Sequence, residues 1–156
     1  MGLAVLALTG AFVLPVYAQS EGDQSPAKTE IKASVQSVYR LTIPAKTEIP
    51  FEAVSTDLSG TLKVAGNVRP TQKVQVTARP EAFKNTEKNK ILPYKLMNGQ
   101  EEFRTAVWDE AQLRAGLDGK GKEIRLSIAI DKKDWQSAEA GDYEGSIIFT
   151  SELKDE

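Results

Sequence analysis

The feature that most constrains this chain is an apolar side chain at every second position, repeated along most of its length. The cleanest example is residues 123–130, where four aliphatic side chains alternate with Arg125, Ser127 and Ala129. A period of two is that of a β-strand with one buried face, because successive side chains point to opposite sides of a sheet. The pattern therefore predicts a half-buried strand.

The same alternation predicts further strands, which fall at residues 29–35, 39–43, 60–68, 73–80 and 143–149. Two weaker runs, residues 91–97 and 102–107, are predicted to pair as a hairpin across Asn98-Gly99, a dipeptide that favours two-residue turns. The polar run at residues 84–90 has no apolar anchor and is predicted to be a solvated loop. Seven or eight short strands are typical of a two-sheet sandwich.

Only residues 108–115 favour a helix. Asp109 is a residue type that caps helix N-termini, Leu113 favours a helix, and Gly116 can end one. The crossover helices that a parallel sheet needs are absent, so the strands are expected to be antiparallel. The prediction is an all-β fold, a two-sheet antiparallel sandwich with one short helix.

The sandwich is predicted to occupy residues 29–151, followed by a tail at residues 152–156. Its core is predicted from the inward faces of the strands. The predicted core residues are Ile31, Val35, Leu41, Leu62, Val64, Val74, Val76, Leu96, Phe103, Ile124, Leu126, Ile128, Ile147 and Phe149.

Residues 1–18 have the pattern of a secretory signal. They form an uncharged apolar run that Pro15 interrupts, and Val16 and Ala18 occupy the small-residue positions before a cleavage point. No Lys or Arg precedes the run. An uncleaved membrane anchor, for which the run is near the lower length limit, and a buried core helix stay open as alternatives. The expected product is a secreted or cell-envelope protein with a flexible lead at residues 19–28 and no membrane association after cleavage.

Composition excludes several kinds of chemistry. The 156-residue chain has no Cys and no His, so disulfides, thiol nucleophiles, imidazole bases and the usual zinc sites are excluded. A formal net charge of −2 gives no general reason to bind nucleic acid. We expect no cofactor, no metal and no catalytic residue.

Two short motifs resemble those of a known class of protein. They are Tyr39-Arg-Leu-Thr-Ile-Pro44 and Ala140-Gly-Asp-Tyr-Glu-Gly-Ser-Ile-Ile-Phe149, which resemble the opening and closing strands of small Ig-like β-sandwich domains in secreted bacterial surface and fimbria-like proteins. The resemblance covers about residues 29–150. It implies an Ig-like fold and a structural or adhesive role, and it carries no catalytic residues.

The closing motif also has a physical interpretation. Gly141 can adopt a positive φ in a turn, Tyr143 can enter the core at the corner, and Gly145 lets a neighbouring chain segment approach. These three residues, with Tyr39 and Pro44, are therefore predicted to be structural.

Two apparent sites have poor support in the sequence. Residues 116–122 match Gly-x4-Gly-Lys, but Glu123 replaces the hydroxyl residue of a phosphate-binding loop, and the expected order of strand and helix is reversed. A calcium site is conceivable because four carboxylates cluster in sequence, although the spacing of a calcium loop is absent. Those carboxylates are Asp131, Asp134, Glu139 and Asp142.

Trp108 and Trp135 are the candidate ligand-binding residues. Each adjoins acidic residues near a predicted strand end, where an aromatic ring can stack on a sugar or on a partner side chain. Packing in the core or under a loop is the alternative for both. The loops at residues 82–90 and 108–122 are the predicted binding surface.

Three functions remain open from the sequence. The first is an exported, non-enzymatic surface or adhesion module that binds a protein or glycan. The second is a pilin-like subunit that self-associates by adding residues 29–35 as a strand to a neighbour's edge, although the strand count predicts a complete sandwich that needs no donor. The third is a secreted carboxylate-dependent hydrolase, which requires two acidic side chains converging in a cleft.

Overall fold

The computed structural model describes residues 28–156. The predicted signal at residues 1–18 and all but the last residue of the predicted lead lie outside the described residues. Contacts within the chain separate Met1–Ser34 from the compact unit Val35–Glu156, and the fold described below is that of the compact unit. No helix in the described part of the chain is long and apolar enough to cross a membrane.

Short strands dominate this unit, and they are joined by two helices. The elements are β1 (Val38–Thr42), β2 (Ser55–Asp57), β3 (Leu62–Asn67), β4 (Gln72–Pro80), β5 (Phe83–Asn85), β6 (Lys90–Leu92), β7 (Lys95–Asn98), β8 (Glu101–Glu102), β9 (Thr105–Trp108), α1 (Glu110–Leu117), β10 (Glu123–Ile124), β11 (Ser127–Ala129), α2 (Lys132–Ser137), β12 (Tyr143–Glu144) and β13 (Ile147–Asp155).

All of these strands pair antiparallel, in four small sheets. The strand orders are β1-β3-β10, β2-β11-β7-β8, β12-β5-β6 and β13-β4-β9. The all-β prediction is confirmed. The strands are shorter and more numerous than predicted because several of the predicted strands are broken in the middle.

The first two sheets continue into each other and form one layer. β2 and β3 run alongside β11 and β10, and a hydrogen bond from the Leu58 N–H to the Leu126 carbonyl (2.8 Å) bridges the break between the two ladders. The predicted strand at residues 123–130 is therefore two strands, each in a different sheet. Its buried face is as predicted, since Ile124, Leu126 and Ile128 are all buried.

The other two sheets form a second layer in the same way. β4 continues into β5 while β12 continues into β13, and the Glu81 N–H donates to the Ser146 carbonyl (2.8 Å) across the break. Within this layer β4–β5 is central, and β12–β13 pairs along one side of it.

One hydrophobic core contains buried side chains from both layers, which gives the unit a β-sandwich-like character. Most of the predicted core is confirmed. The buried apolar residues are Leu62, Val64, Val68, Val74, Val76, Ala78, Leu92, Leu96, Phe103, Trp108, Leu113, Ile124, Leu126, Ile128 and Ile130, with Leu41, Ile147 and Phe149 partly buried against them.

The strand predicted at residues 29–35 is not formed. Residues 28–36 belong to no strand and are all exposed, and Ile31 and Val35 expose 90% and 77% of their surface. The prediction that these two side chains lie in the core was wrong. Alternation fits a strand only where a neighbour supplies hydrogen bonds and a surface to pack against, and no described strand pairs with this segment.

The predicted hairpin forms with its turn shifted by one residue. Asn98 pairs with Glu101, so the two turn residues are Gly99 and Gln100. After β8 the chain leaves this partner, and β9 pairs with β4 in the other layer. The polar run at residues 84–90 is a second hairpin, β5–β6, rather than a loop without an anchor.

Both helices are short. α1 begins where predicted, because the Asp109 side chain accepts from the Gln112 N–H (2.8 Å) and the Gln112 side chain accepts from the Asp109 N–H (3.1 Å), a capping box. α1 ends at Leu117 rather than near residue 115. α2 was not predicted, so the expectation of a single helix was wrong.

The C-terminal boundary also differs from the prediction. β13 extends to Asp155 and pairs with β4 along its whole length. Residues 152–155 are therefore part of the sheet and not a tail.

Candidate functional site

An open groove of about 740 Å³ lies on the compact unit. One wall is residues 43–49, the segment that follows β1, and the other is residues 142–149, which contain β12 and the start of β13. The groove is therefore flanked by the two sequence motifs. The first motif ends at Pro44, and the second contains Tyr143 and Gly145.

The floor of the groove is the edge of the hydrophobic core. Leu58 and Ile128 come from the first layer, and Phe83 and Phe149 come from the second. All except Ile128 are only partly buried while packing against the core. The groove thus exposes part of the apolar surface at the edge of the core.

Both walls adjoin strands with a free edge. Among residues 28–156, β1 pairs only with β3, and β12–β13 pairs only with β5 and β4. Beyond the groove the two edges approach each other, with the Tyr39 hydroxyl 3.3 Å from the Ser151 hydroxyl. Free strand edges carry backbone N–H and C=O groups without a strand partner. The groove therefore combines apolar surface with an unpaired edge.

Charged side chains line the rim of the groove. They are one lysine and three carboxylates, namely Lys46, Glu48, Asp142 and Glu144. The acidic groups exceed the basic ones, so a segment carrying a net positive charge is the favoured occupant.

Tyr94 also lines the groove, and its hydroxyl contacts two segments of the second layer. Its hydroxyl donates to the Glu81 carbonyl (2.6 Å) and lies 3.2 Å from the Ser146 carbonyl. Burial raises the pKa of the Tyr94 phenol above its ordinary value, and the nearby Glu81 carboxylate acts in the same direction. The Tyr94 hydroxyl therefore stays protonated at neutral pH and acts as a hydrogen-bond donor.

The closing motif shapes one end of the groove. The Tyr143 hydroxyl donates to the Glu139 carbonyl four residues earlier (3.0 Å). Gly141 has a φ of 145°, and a Cβ added there would overlap the Asn85 side-chain amide. A Cβ on Gly145 would come within 3.0 Å of the Phe83 ring. Tyr143 therefore bonds within its own corner, Gly141 has a backbone conformation that favours glycine, and Gly145 lets the Phe83 ring pack closely.

Asn85 is the buried polar residue beneath this corner, and the sequence did not draw attention to it. It is 1% exposed, and its side-chain oxygen accepts from the N–H groups of Glu87 and Lys88 (3.0 and 3.1 Å). This local bonding holds the β5–β6 turn. The sequence signal for this buried residue was an Asn-Thr pair within a polar run, a pattern too common to indicate burial.

The two tryptophans lie in different environments. Trp108 is completely buried, and its ring nitrogen donates to the Lys122 carbonyl (3.0 Å), so it presents no face to a ligand. Trp135 is partly buried in α2, and its ring nitrogen donates to the Ala53 carbonyl (2.9 Å). Phe51 packs edge-on against it, 5.7 Å between ring centroids, and is 78% exposed. Neither tryptophan lines the groove.

The acidic residues suggested for calcium are used in other ways. Asp131 precedes α2 and Asp134 lies within it, while Asp142 lines the groove. Glu139 forms ion pairs with Lys90 (3.4 Å) and Lys88 (3.5 Å). No group of three or more acidic residues in residues 28–156 is arranged to hold a metal ion.

Glu139 links the β5–β6 hairpin to the corner before β12. A hydrogen bond from Lys90 lowers the pKa of the Glu139 carboxyl below its ordinary value, and the charges of Lys90 and Lys88 also lower it while burial opposes them. The Glu139 side chain is 43% exposed, so the ion pairs position the hairpin but are screened by water.

The predicted binding loops do not build the groove. Residues 82–90 form the β5–β6 hairpin and contribute only Phe83, and residues 108–122 contain α1 and lie elsewhere. The segment at residues 43–49 was missed as a site. The signal that could have found it was Pro44, which ends the first motif and turns the chain away from β1.

Comparisons with known proteins leave the groove as the main guide to function. No protein-family model matches the chain, and no curated protein matches it.

Proposed function

We propose that this chain is an exported, non-enzymatic, Ig-like β-sandwich that serves at the cell surface or envelope by binding an extended segment of protein in the groove between residues 43–49 and 142–149. The observation that carries the proposal is the coincidence of a groove that has an apolar floor with an edge of β12–β13 that no strand of residues 28–156 pairs. Addition of a strand to a sheet edge is a common way to bind an extended peptide, because main-chain hydrogen bonds supply affinity and side-chain pockets supply specificity.

The strand order supports an Ig-like arrangement. In an Ig domain one sheet has the order A-B-E-D and the other contains C-F-G. The order β1, β2–β3, β10–β11, β7 matches the first sheet, and β4–β5 beside β12–β13 matches C and F. Tyr143 at the start of β12, with its hydroxyl bonded to backbone upstream, is similar to the tyrosine corner of strand F.

In this assignment one strand position is empty. Strand G would lie beside F, along the outer edge of β12–β13, where no strand of residues 28–156 is found. The groove is the space between that edge and the segment after β1, which is where a G strand would cover the core. An extended polypeptide fits such a space better than a branched glycan, because it can satisfy the edge hydrogen bonds.

Export rests on the sequence of residues 1–18. The absence of Cys is compatible with export, since a sandwich of this size can be stable by packing alone. Localisation is tested by fractionating cells that produce the chain and determining its N-terminus by intact mass. Release from the cytoplasm with cleavage after Ala18 is expected, and an unprocessed cytoplasmic protein would contradict export.

The binding function is tested with a panel of extended peptides and a panel of glycans, using the full processed protein. Ile43 lines the groove and is 51% exposed, whereas Ile91 in β6 is 57% exposed and lies away from the groove. We expect peptide binding to be abolished by Ile43→Asp and retained by the matched control Ile91→Asp. Binding that is unaffected by Ile43→Asp, or binding of glycans only, would overturn the proposal.

A further inference from the structure

We infer that the groove receives residues 29–35 of a second copy of this chain, so that the protein self-associates by strand addition. This inference rests on the proposed function and names the partner of the same site. It gives a physical reason for two features that are otherwise unexplained, namely an exposed strand-like segment and an unoccupied strand position.

The segment has the side-chain pattern of a strand without the partners of one. Thr29, Ile31, Ala33 and Val35 alternate with polar residues, yet residues 28–36 are all exposed and unpaired with any described strand. Large apolar side chains that are almost fully exposed at regular spacing are typical of an interaction surface. The alternation places them all on one face once the segment is extended.

The length of the segment agrees with that of the groove. Seven extended residues span about 23 Å, which is close to the length of the eight-residue wall at 142–149. Residues 29–35 are neutral overall because Glu30 and Lys32 cancel, and Lys28, directly before them, adds one positive charge. The rim has three carboxylates and one lysine. The apolar face of the segment can cover the floor at Phe83 and Phe149, and its backbone can pair with the free edge of β13.

A second copy, rather than the same chain, is the source of the segment. The Ser37 hydroxyl donates to the Gln72 side chain (2.6 Å), so the segment before β1 enters that strand near the first residue of β4. Phe149, at the near end of the groove, pairs with Ala78, six residues further along β4, or about 20 Å away. Val35 is only two residues from Ser37, so it stays outside the groove of its own chain. A second copy can place both Ile31 and Val35 in the groove.

Self-association is measured by sedimentation of the full processed protein over a wide concentration range. We expect concentration-dependent oligomers, weakened more than about tenfold by Ile31→Asp with Val35→Asp, because each change removes the burial of one aliphatic side chain. The matched control, Ser34→Asp with Gln36→Asp, adds the same charge to the opposite face and should retain assembly. Ile43→Asp should weaken assembly as the segment variant does, and Ile91→Asp should not.

Mixing separates a specific strand exchange from non-specific aggregation. The segment variant keeps an intact groove and Ile43→Asp keeps an intact segment, so the two together should form a 1:1 dimer that neither forms alone and that grows no further. A wild-type protein that remains monomeric at all concentrations, or oligomers indifferent to these substitutions, would overturn the inference.

A synthetic peptide of residues 27–37 distinguishes failure of the inference from failure of the proposed function. Binding of this peptide, lost in Ile43→Asp and in a peptide with Asp at positions 31 and 35, supports both. If other extended peptides bind in an Ile43-dependent way and this one does not, the self-association is wrong while the binding function stands. If no peptide binds, both are wrong.

Discussion

The two ends of this sandwich-like unit are built from the same alternating pattern but differ in how their apolar faces are covered. At one end α1 packs against β3, and Leu62, Trp108 and Leu113 are completely buried. At the other end, Ile147 and Phe149 lie on a groove and are only partly buried. The difference shows that alternation determines which side chains face inward, while a distant element determines whether water is excluded from them.

Truncation of Trp108 is expected to have the largest effect, because it tests the closed end. Trp108→Ala should lower the free energy of unfolding by about 3–5 kcal/mol, as for large-to-small substitutions of buried aromatic residues. Its neighbour Val107 is 37% exposed on the other face of β9, so Val107→Ala is the control and should cost much less. Urea unfolding monitored by circular dichroism measures both, and equal losses would contradict the assignment of a closed end.

Gly141→Ala is the next largest, and it tests whether the corner at the open end is rigid. Alanine at a φ of 145° is strained, and its Cβ would overlap the Asn85 amide. We expect a loss of about 2–3 kcal/mol in unfolding free energy. Gly119→Ala is the control. Gly119 has a φ of 72° and no atom within 4 Å of an added Cβ, so alanine there strains the backbone without overlapping a neighbour. A loss at Gly141 no greater than at Gly119 would show that the corner can relax.

Phe149→Ala sharpens the comparison directly, since Phe149 is an aromatic side chain at the open end. We expect a loss of about 1–2 kcal/mol, less than for Trp108→Ala, because Phe149 is only partly shielded from water in the absence of a ligand. Saturation with a groove-binding peptide should increase the difference between wild type and variant. A loss as large as that of Trp108→Ala would mean that the groove is not open in solution.

The smallest expected effect is at Glu139, which positions the β5–β6 hairpin by exposed ion pairs. Because its pKa is lowered in the folded protein, its contribution to stability is present above the unfolded pKa and is lost as the pH falls through the folded one. Glu139→Gln should therefore differ slightly from wild type at pH 7 and low salt and converge with it in acid or high salt. A difference that persists in acid would contradict an electrostatic role.

The sequence predicted the local part of this fold well. Leu62 and Val64 in β3 and Val74 and Val76 in β4 are buried as predicted, since each pattern is local and each strand has neighbours on both sides. The capping of α1 by Asp109 was also predictable, because a cap depends on residues within one turn.

What could not be predicted depends on partners that are distant in sequence. Residues 29–35 alternate as regularly as β3 but have no described strand to pair with. Residues 123–130 alternate without interruption, although the pairing partner changes from β3 to β2 in the middle. The groove arises from residues 43–49 and 142–149, which are almost a hundred positions apart, and no single window of sequence contains both walls.

The most direct test of the central claim, that the outer edge of β12–β13 is an unoccupied strand position, is amide hydrogen exchange along residues 143–150 of the intact protein. We expect amides on the outer edge to exchange rapidly in dilute monomer and to become protected when the peptide of residues 27–37 is bound, with β3 and β10 unchanged. Protection of the whole edge in the dilute monomer, or no gain in protection at saturating peptide, would contradict the claim.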